Sequence, residues 1–125
     1  MNAPTQKDVA TGWIATQENW WAWEAVDKAC REDPELGWGL VLAILSLTDS
    51  HQVIENLGAG PLEDLLAKHG DGLIERAEKL ATQDPEFRRC LSHTWQNEMS
   101  QAIWDRVCRA TDRDSSNVHG RRRAT

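Results

Sequence analysis

Residues 33–47 read Asp33-Pro34-Glu35-Leu36-Gly37-Trp38-Gly39-Leu40-Val41-Leu42-Ala43-Ile44-Leu45-Ser46-Leu47. The opening tripeptide is a helix-start signal. The aspartate can accept from N–H groups of a first turn, the proline stands where its missing N–H costs nothing, and the glutamate favours the positive helix end. The rest of the stretch is apolar nearly all round, with Leu36, Trp38, Leu40, Val41, Leu42, Ile44, Leu45 and Leu47 spread over every side. A helix without a polar face is one that other elements surround. The stretch predicts a central helix and a fold built around it.

Upstream, the spacing predicts one long helix over about residues 12–31. Its Trp13, Trp20, Trp23, Val26 and Cys30 share an arc, and Ile14 and Trp21 lie off it. Downstream, Ser50 to Leu57 reads as a short helix or turn closed by Gly58. Gly60-Pro61 then opens a helix carrying Leu62, Leu65 and Leu66 on one face, and Gly70 stands where a left-handed C-cap would end it. Asp71 can cap the next helix, with its stripe of Leu73, Ile74, Ala77, Leu80 and Ala81. A second Asp-Pro-Glu at 84–86 precedes Phe87, Cys90 and Leu91, a bend near 92–94, and then Trp95, Met99, Ala102, Ile103 and Val107. No stretch alternates as a strand does. The expected class is all-α, an irregular helical bundle or a short α-solenoid of stacked helical hairpins, with about five to seven helices.

A chain of 125 residues suits one domain, read as residues 1–111, followed by a basic C-terminal tail, 112–125, without an apolar stripe and expected to be mobile. At 40% hydrophobic and 27% charged the chain is globular in composition, which excludes wholesale disorder. The longest apolar run, Leu40 to Leu45, is too short to cross a bilayer, and residues 1–12 hold no signal-peptide core. The expected compartment is the cytoplasm. Cys30, Cys90 and Cys108 have neither disulfide-framework nor zinc spacing and read as buried, reduced thiols. The net charge is −6, but from Arg109 onward five arginines face two aspartates, leaving that stretch at +3 and the rest at −9. Such a body repels nucleic-acid phosphates and anionic membranes and suits a basic protein partner.

The string Gly58-Ala59-Gly60-Pro61-Leu62-Glu63-Asp64-Leu65-Leu66, with His69-Gly70 after it, resembles a signature of a family of small bacterial proteins of unknown function. The resemblance runs from about Trp13 to Ala110. It includes the Trp-rich first helix, the Asp-Pro-Glu junction with Trp38 after it, Asp84 to Arg88, and a terminal helix containing tryptophan. It implies a helical fold and a bacterial cytoplasmic setting, and no activity.

Two candidate sites emerge from the residues. Gly58, Gly60, Glu63, Asp64 and His69 surround a turn where glycines would let a ligand approach backbone N–H groups, although the acids at the same helix end repel an anion. The competing reading is a tight inter-helix turn with Glu63 hydrogen-bonded to nearby backbone. Trp21 and Trp104, both off their helical arcs, either flank the core or form an exposed or groove-lining contact patch. Arg121 to Arg123 is either a solvated tail or a contact with an acidic surface. No HExxH, CxxC, Gly-x-Ser-x-Gly or phosphate-loop string occurs, so no metal, cofactor or catalytic residue is assigned. The expected function is a small acidic helical protein-interaction module, an inhibitor, immunity or regulatory protein whose tryptophans meet a protein partner or a second copy. The alternative is a small-ligand-binding protein or enzyme using the Gly58–His69 segment.

Overall fold

A computed structural model describes residues 4–15 and 20–113. It is all-helical, an irregular bundle. In chain order the elements are α1 (Gln6–Ala15), α2 (Trp20–Glu32), α3 (Pro34–Ser46), α4 (His51–Leu57), a π-helical turn (Gly58–Leu62), α5 (Glu63–Gln83), α6 (Pro85–Leu91) and α7 (Gln101–Ala110). Helices α1, α2 and α3 pack on one another, while α6 and α7 pack on α5 and α4 packs on α6. The π turn touches α2, α3, α4, α5 and α6, and α2 and α3 both reach α5. In a solenoid each unit meets only its neighbours, so this cross-packing makes the architecture a bundle around one core.

Both Asp-Pro-Glu junctions behave as the local chemistry requires. Asp33 accepts the Leu36 N–H at 3.3 Å, and Asp84 accepts those of Glu86 and Phe87 at 2.9 and 3.3 Å. The junctions also meet in space. Trp38 from α3 lies against Phe87 from α6, ring centroids 5.5 Å apart, and Arg76 of α5 stacks 5.6 Å from the Trp38 ring centroid while pairing with Glu35 at 2.7 and 3.0 Å. The apolar α3 buries Trp38, Leu40, Val41, Ile44 and Leu45 but leaves Leu36 and Leu47 exposed near its ends, so it is surrounded along its middle only.

The single long helix expected over 12–31 is two helices. Were it continuous, residues 12 and 22 would stand about 15 Å apart along its axis. Instead, a Cβ built on Gly12 would lie 2.9 Å from the Ala22 Cβ, and Trp13 stacks on Trp23 with centroids 4.8 Å apart. The chain therefore doubles back, and this removes Trp20 from the core arc assigned to it.

Gly58 follows the last residue of α4 as its cap but does not stop the helical run, and Gly70 is not a left-handed cap. Gly58 is right-handed helical, φ −68° and ψ −45°, and the chain continues as one helical run from His51 to Gln83. Pro61 cannot donate a helical hydrogen bond, and the wider π turn absorbs the interruption: the Glu63 N–H reaches back to the Gly58 carbonyl. A second irregularity comes at His69, where φ −133° and ψ 26° kink α5. The short chain at 92–94 expected to bend is a longer loop, from the end of α6 at Leu91 to the Ser100 cap of α7, whose hydroxyl accepts the Ile103 N–H at 3.1 Å.

The start of the tail also moves. Asp112 pairs with Arg88 at 3.0 Å, and the Arg113 guanidinium donates to the Thr94 carbonyl at 2.6 Å and the Leu91 carbonyl at 3.3 Å. Residues 112 and 113 are thus bound to the helical body. Arg121 to Arg123 lie outside the described residues.

Candidate functional site

The residues singled out in the Gly58–His69 segment face different directions because they sit on successive positions of one helical run. Gly58 is buried under the end of α6, where a Cβ would overlap the Cys90 carbonyl oxygen. Gly60 faces open space. Its lack of a Cβ suits the position before a proline, where a side chain disfavours the helical backbone. Glu63 is 5% exposed, and its carboxylate accepts the Trp95 backbone N–H through Oε1 and the Asn97 side-chain amide through Oε2, each at 2.9 Å. The backbone it binds is distant in sequence rather than neighbouring.

Asp64 and His69 turn toward α2. Burial, then the nearby Asp27 carboxylate, raise the Asp64 carboxyl above its ordinary range against the opposing pull of Lys68 and Arg31. The His69 ring Nε2 lies 2.9 Å from the Arg31 carbonyl oxygen, which can only accept, so this nitrogen carries the proton. Cys30 shares the same corner, its thiol pushed up to about 12 by burial and by Asp64 and Asp27, and a thiol so protonated is a poor nucleophile. Glu63 and His69 are therefore committed to separate structural contacts. On the far side of the kink, a cavity of about 430 Å³ opens between α5, the start of α3 and the start of α7, with Leu66, His69, Asp71, Glu98, Ser100 and Ile103 in its walls. Among the described residues, no group of three or more His, Cys, Asp or Glu is placed to hold a metal ion.

The two tryptophans part company. Trp104 is 1% exposed, packed in the core with Arg113 stacked 4.8 Å over its ring, so of its two readings the core one applies and the contact patch does not include it. Its Nε1 finds no hydrogen-bond partner among the described residues. Its departure from the Met99–Ile103–Val107 arc reflects a second neighbour, the docked chain at Arg113. Trp21 is 44% exposed and Trp20 beside it 73%, so the N-terminal end of α2 presents adjacent indoles. Trp21 borders an open crevice along α1 of about 630 Å³.

Sequence reading missed Trp20 as a surface residue, and it missed Trp95, Asn97 and Arg113 as the clamp on the 92–100 loop. A weak local signal existed for the loop. Asn97 adopts φ 49°, a left-handed conformation that asparagine tolerates better than most residues.

Among the described residues no helix is long and apolar enough to cross a membrane. No curated protein and no solved structure matches the chain. Residues 11–115, which span every helix from α2 to α7, match the sequence profile of a family of unknown function, DUF6869, and the chain belongs to that family.

Proposed function

We propose that this chain is a protein-interaction module, an acidic helical body that engages a basic protein through the Trp20–Trp21 end of α2 and acts on it as an inhibitor, immunity or regulatory partner. The observation that carries the reading is the exposure of Trp20, 73%, beside Trp21, 44%, on a helix whose opposite face is firmly buried through Ala22, Val26, Ala29 and Cys30. Indole rings held on a rigid helix offer large apolar contact area at small entropic cost, and tryptophan dominates interface hot spots. The net charge of −6 supports a partner of opposite sign. The polar groups that would serve a catalytic reading of the Gly58–His69 segment are instead engaged in holding the fold, Glu63 with Trp95 and Asn97, and His69 with Arg31.

The test is affinity capture from a bacterial lysate with wild type and with Trp20→Ala/Trp21→Ala, then calorimetry on the purified partner and light scattering of each variant alone. A single protein retained in stoichiometric amount by wild type, and bound at least about tenfold more weakly by the variant, supports the module. Equal retention by both, or no retention by a folded wild type, refutes it.

A second reading attaches to the cavity at the α5 kink. Its volume of about 430 Å³ falls in the range of small-molecule sites, roughly 300–1,000 Å³, and its walls mix Leu66 and Ile103 with Asp71, Glu98 and Ser100. Thermal-shift screening against a metabolite library checks it: a stabilising compound whose effect disappears in Ser100→Ala/Asp71→Asn supports ligand binding there, and a silent screen argues against it.

A further inference from the structure

The crevice beside Trp21 has a chemistry of its own. The far edge of the Trp21 ring reaches α1, where a Cβ on Gly12 would come 3.0 Å from Cζ2 and 3.4 Å from Cη2, so the glycine is what lets the indole approach that helix. Most of the remaining lining comes from α1 itself: Lys7, Asp8, Thr11, Gly12 and Ala15. Asp8, Gly12 and Ala15 succeed one another at helical spacing and form a single face, small at its far end and carboxylate-bearing at its near end.

The carboxylate is held in place. The Thr5 N–H donates to Asp8 Oδ2 at 3.0 Å and the Asp8 N–H donates to Thr5 Oγ1 at 3.1 Å, a reciprocal capping arrangement that orients the side chain at the start of α1. Among the described residues Asp8 forms no ion pair. Glu24, exposed and one helical turn beyond Trp20 and Trp21, adds a second negative charge to the same end of α2.

A half-exposed indole and an oriented carboxylate lining one crevice make an arrangement that recognises an organic cation. The ring quadrupole attracts the positive charge, and the carboxylate accepts the N–H groups. A guanidinium fits better than an ammonium, because it is planar, stacks on an aromatic face and presents a fork of donors to a carboxylate. An anionic ligand would meet Asp8, Glu24 and a chain of net charge −6, with Lys7 the lone cation among the described residues lining the crevice.

We infer that the Trp21–Asp8 crevice is the specificity pocket of the interaction surface and takes an arginine side chain from a basic segment of the partner protein. The pocket rests on the proposed interaction module and defines what the surface of that module selects.

The experiment uses the full chain, labelled with nitrogen-15, and a short synthetic peptide alternating glycine and arginine, with lysine and glutamate versions as comparators. The Trp21 indole N–H signal is assigned through Trp21→Phe. The arginine peptide is expected to shift that signal in a saturable way, the lysine peptide to bind more weakly and the glutamate peptide not at all. Asp8→Asn, which keeps an acceptor for the Thr5 N–H and so spares the cap, should weaken arginine-peptide binding at least about tenfold. Trp21→Ala should abolish it, and Trp21→Phe should retain part of it. Equal affinity in wild type and Asp8→Asn, or peptide-induced shifts that leave the Trp21 signal unmoved, would overturn the pocket. The same holds if light scattering finds a dimer that occludes it. A captured partner that depends on Trp20 and Trp21 but is indifferent to Asp8→Asn would sink the arginine pocket while leaving the interaction module standing.

Discussion

Glu63, at the first position after the π turn, accepts the backbone N–H of Trp95 at 2.9 Å, a contact between residues 32 positions apart in the chain. Its second oxygen takes the Asn97 amide, so one buried carboxylate holds the middle of the loop between α6 and α7 at two points. Removing it leaves two donors to be satisfied by water at a site that is 5% exposed. Glu63→Ala should therefore destabilise the fold by about 2–3 kcal/mol, and Glu63→Gln by less because an acceptor remains. Chemical denaturation measures both, and a loss below about 0.5 kcal/mol for the alanine variant would show that the loop does not depend on this carboxylate.

Three glycines in the α4–α5 run should respond differently to the same substitution. Gly58→Ala drives a methyl into the Cys90 carbonyl, which is backbone and cannot rotate away, and should cost about 3 kcal/mol or more. Gly70→Ala meets Ile103 side-chain carbons at 3.1 Å, a contact that must give by a small shift, so a smaller loss is expected. Gly72 meets nothing within 4 Å inside a helix, and Gly72→Ala should stabilise by about 0.5–1 kcal/mol through helix propensity. Melting curves of the three variants, in that order of increasing stability, check the packing of α6 and α7 on α5.

His93 carries a pH dependence of defined sign. Burial, with Arg113, Arg89 and His51 acting in the same direction and Glu55 against them, lowers its imidazolium pKa below the ordinary value of 6.5. The unfolded chain thus binds the proton first as pH falls, so stability declines below about pH 6.5 and levels off once the folded state is protonated too. Melting temperature measured from pH 7.5 downward should fall in that window, and His93→Gln should flatten the slope. A slope unchanged in His93→Gln would assign the effect to another group.

The cysteines should be silent in the native state. Cys30, Cys90 and Cys108 are all buried, and burial pushes the thiols of Cys30 and Cys90 up to about 12. Labelling with a disulfide reagent at neutral pH should proceed only as fast as the protein opens, with all three reacting promptly in denaturant. Rapid labelling of any one without denaturant would place it on a mobile part of the surface.

Local physics was enough for much of the fold. The two Asp-Pro-Glu starts, the apolar α3 and the stripe along α5 depend on a few adjacent residues and on helical spacing, and each is legible in the linear order. Where two local signals competed, the sequence alone could not choose. Gly58 reads as a stop and Gly60-Pro61 as a start, yet the helix runs through both as a π turn because α2, α3, α4, α5 and α6 all pack against it. Trp20 obeys the helical arc of Trp13 and Trp23 only if the three share one helix, and the packing of α1 on α2 as separate helices leaves it at the surface.

Residue types alone determined that this protein would be helical, acidic and rich in indole, and they named Trp21, Glu63 and His69 as residues of interest. Only the tertiary structure decided what each one touches. A carboxylate or an indole is equally at home in a core contact or a binding surface, and which it becomes depends on the neighbour brought to it from elsewhere in the chain: the 95–97 loop for Glu63, the Arg31 carbonyl for His69, Arg113 for Trp104, and the open face of α1 for Trp21.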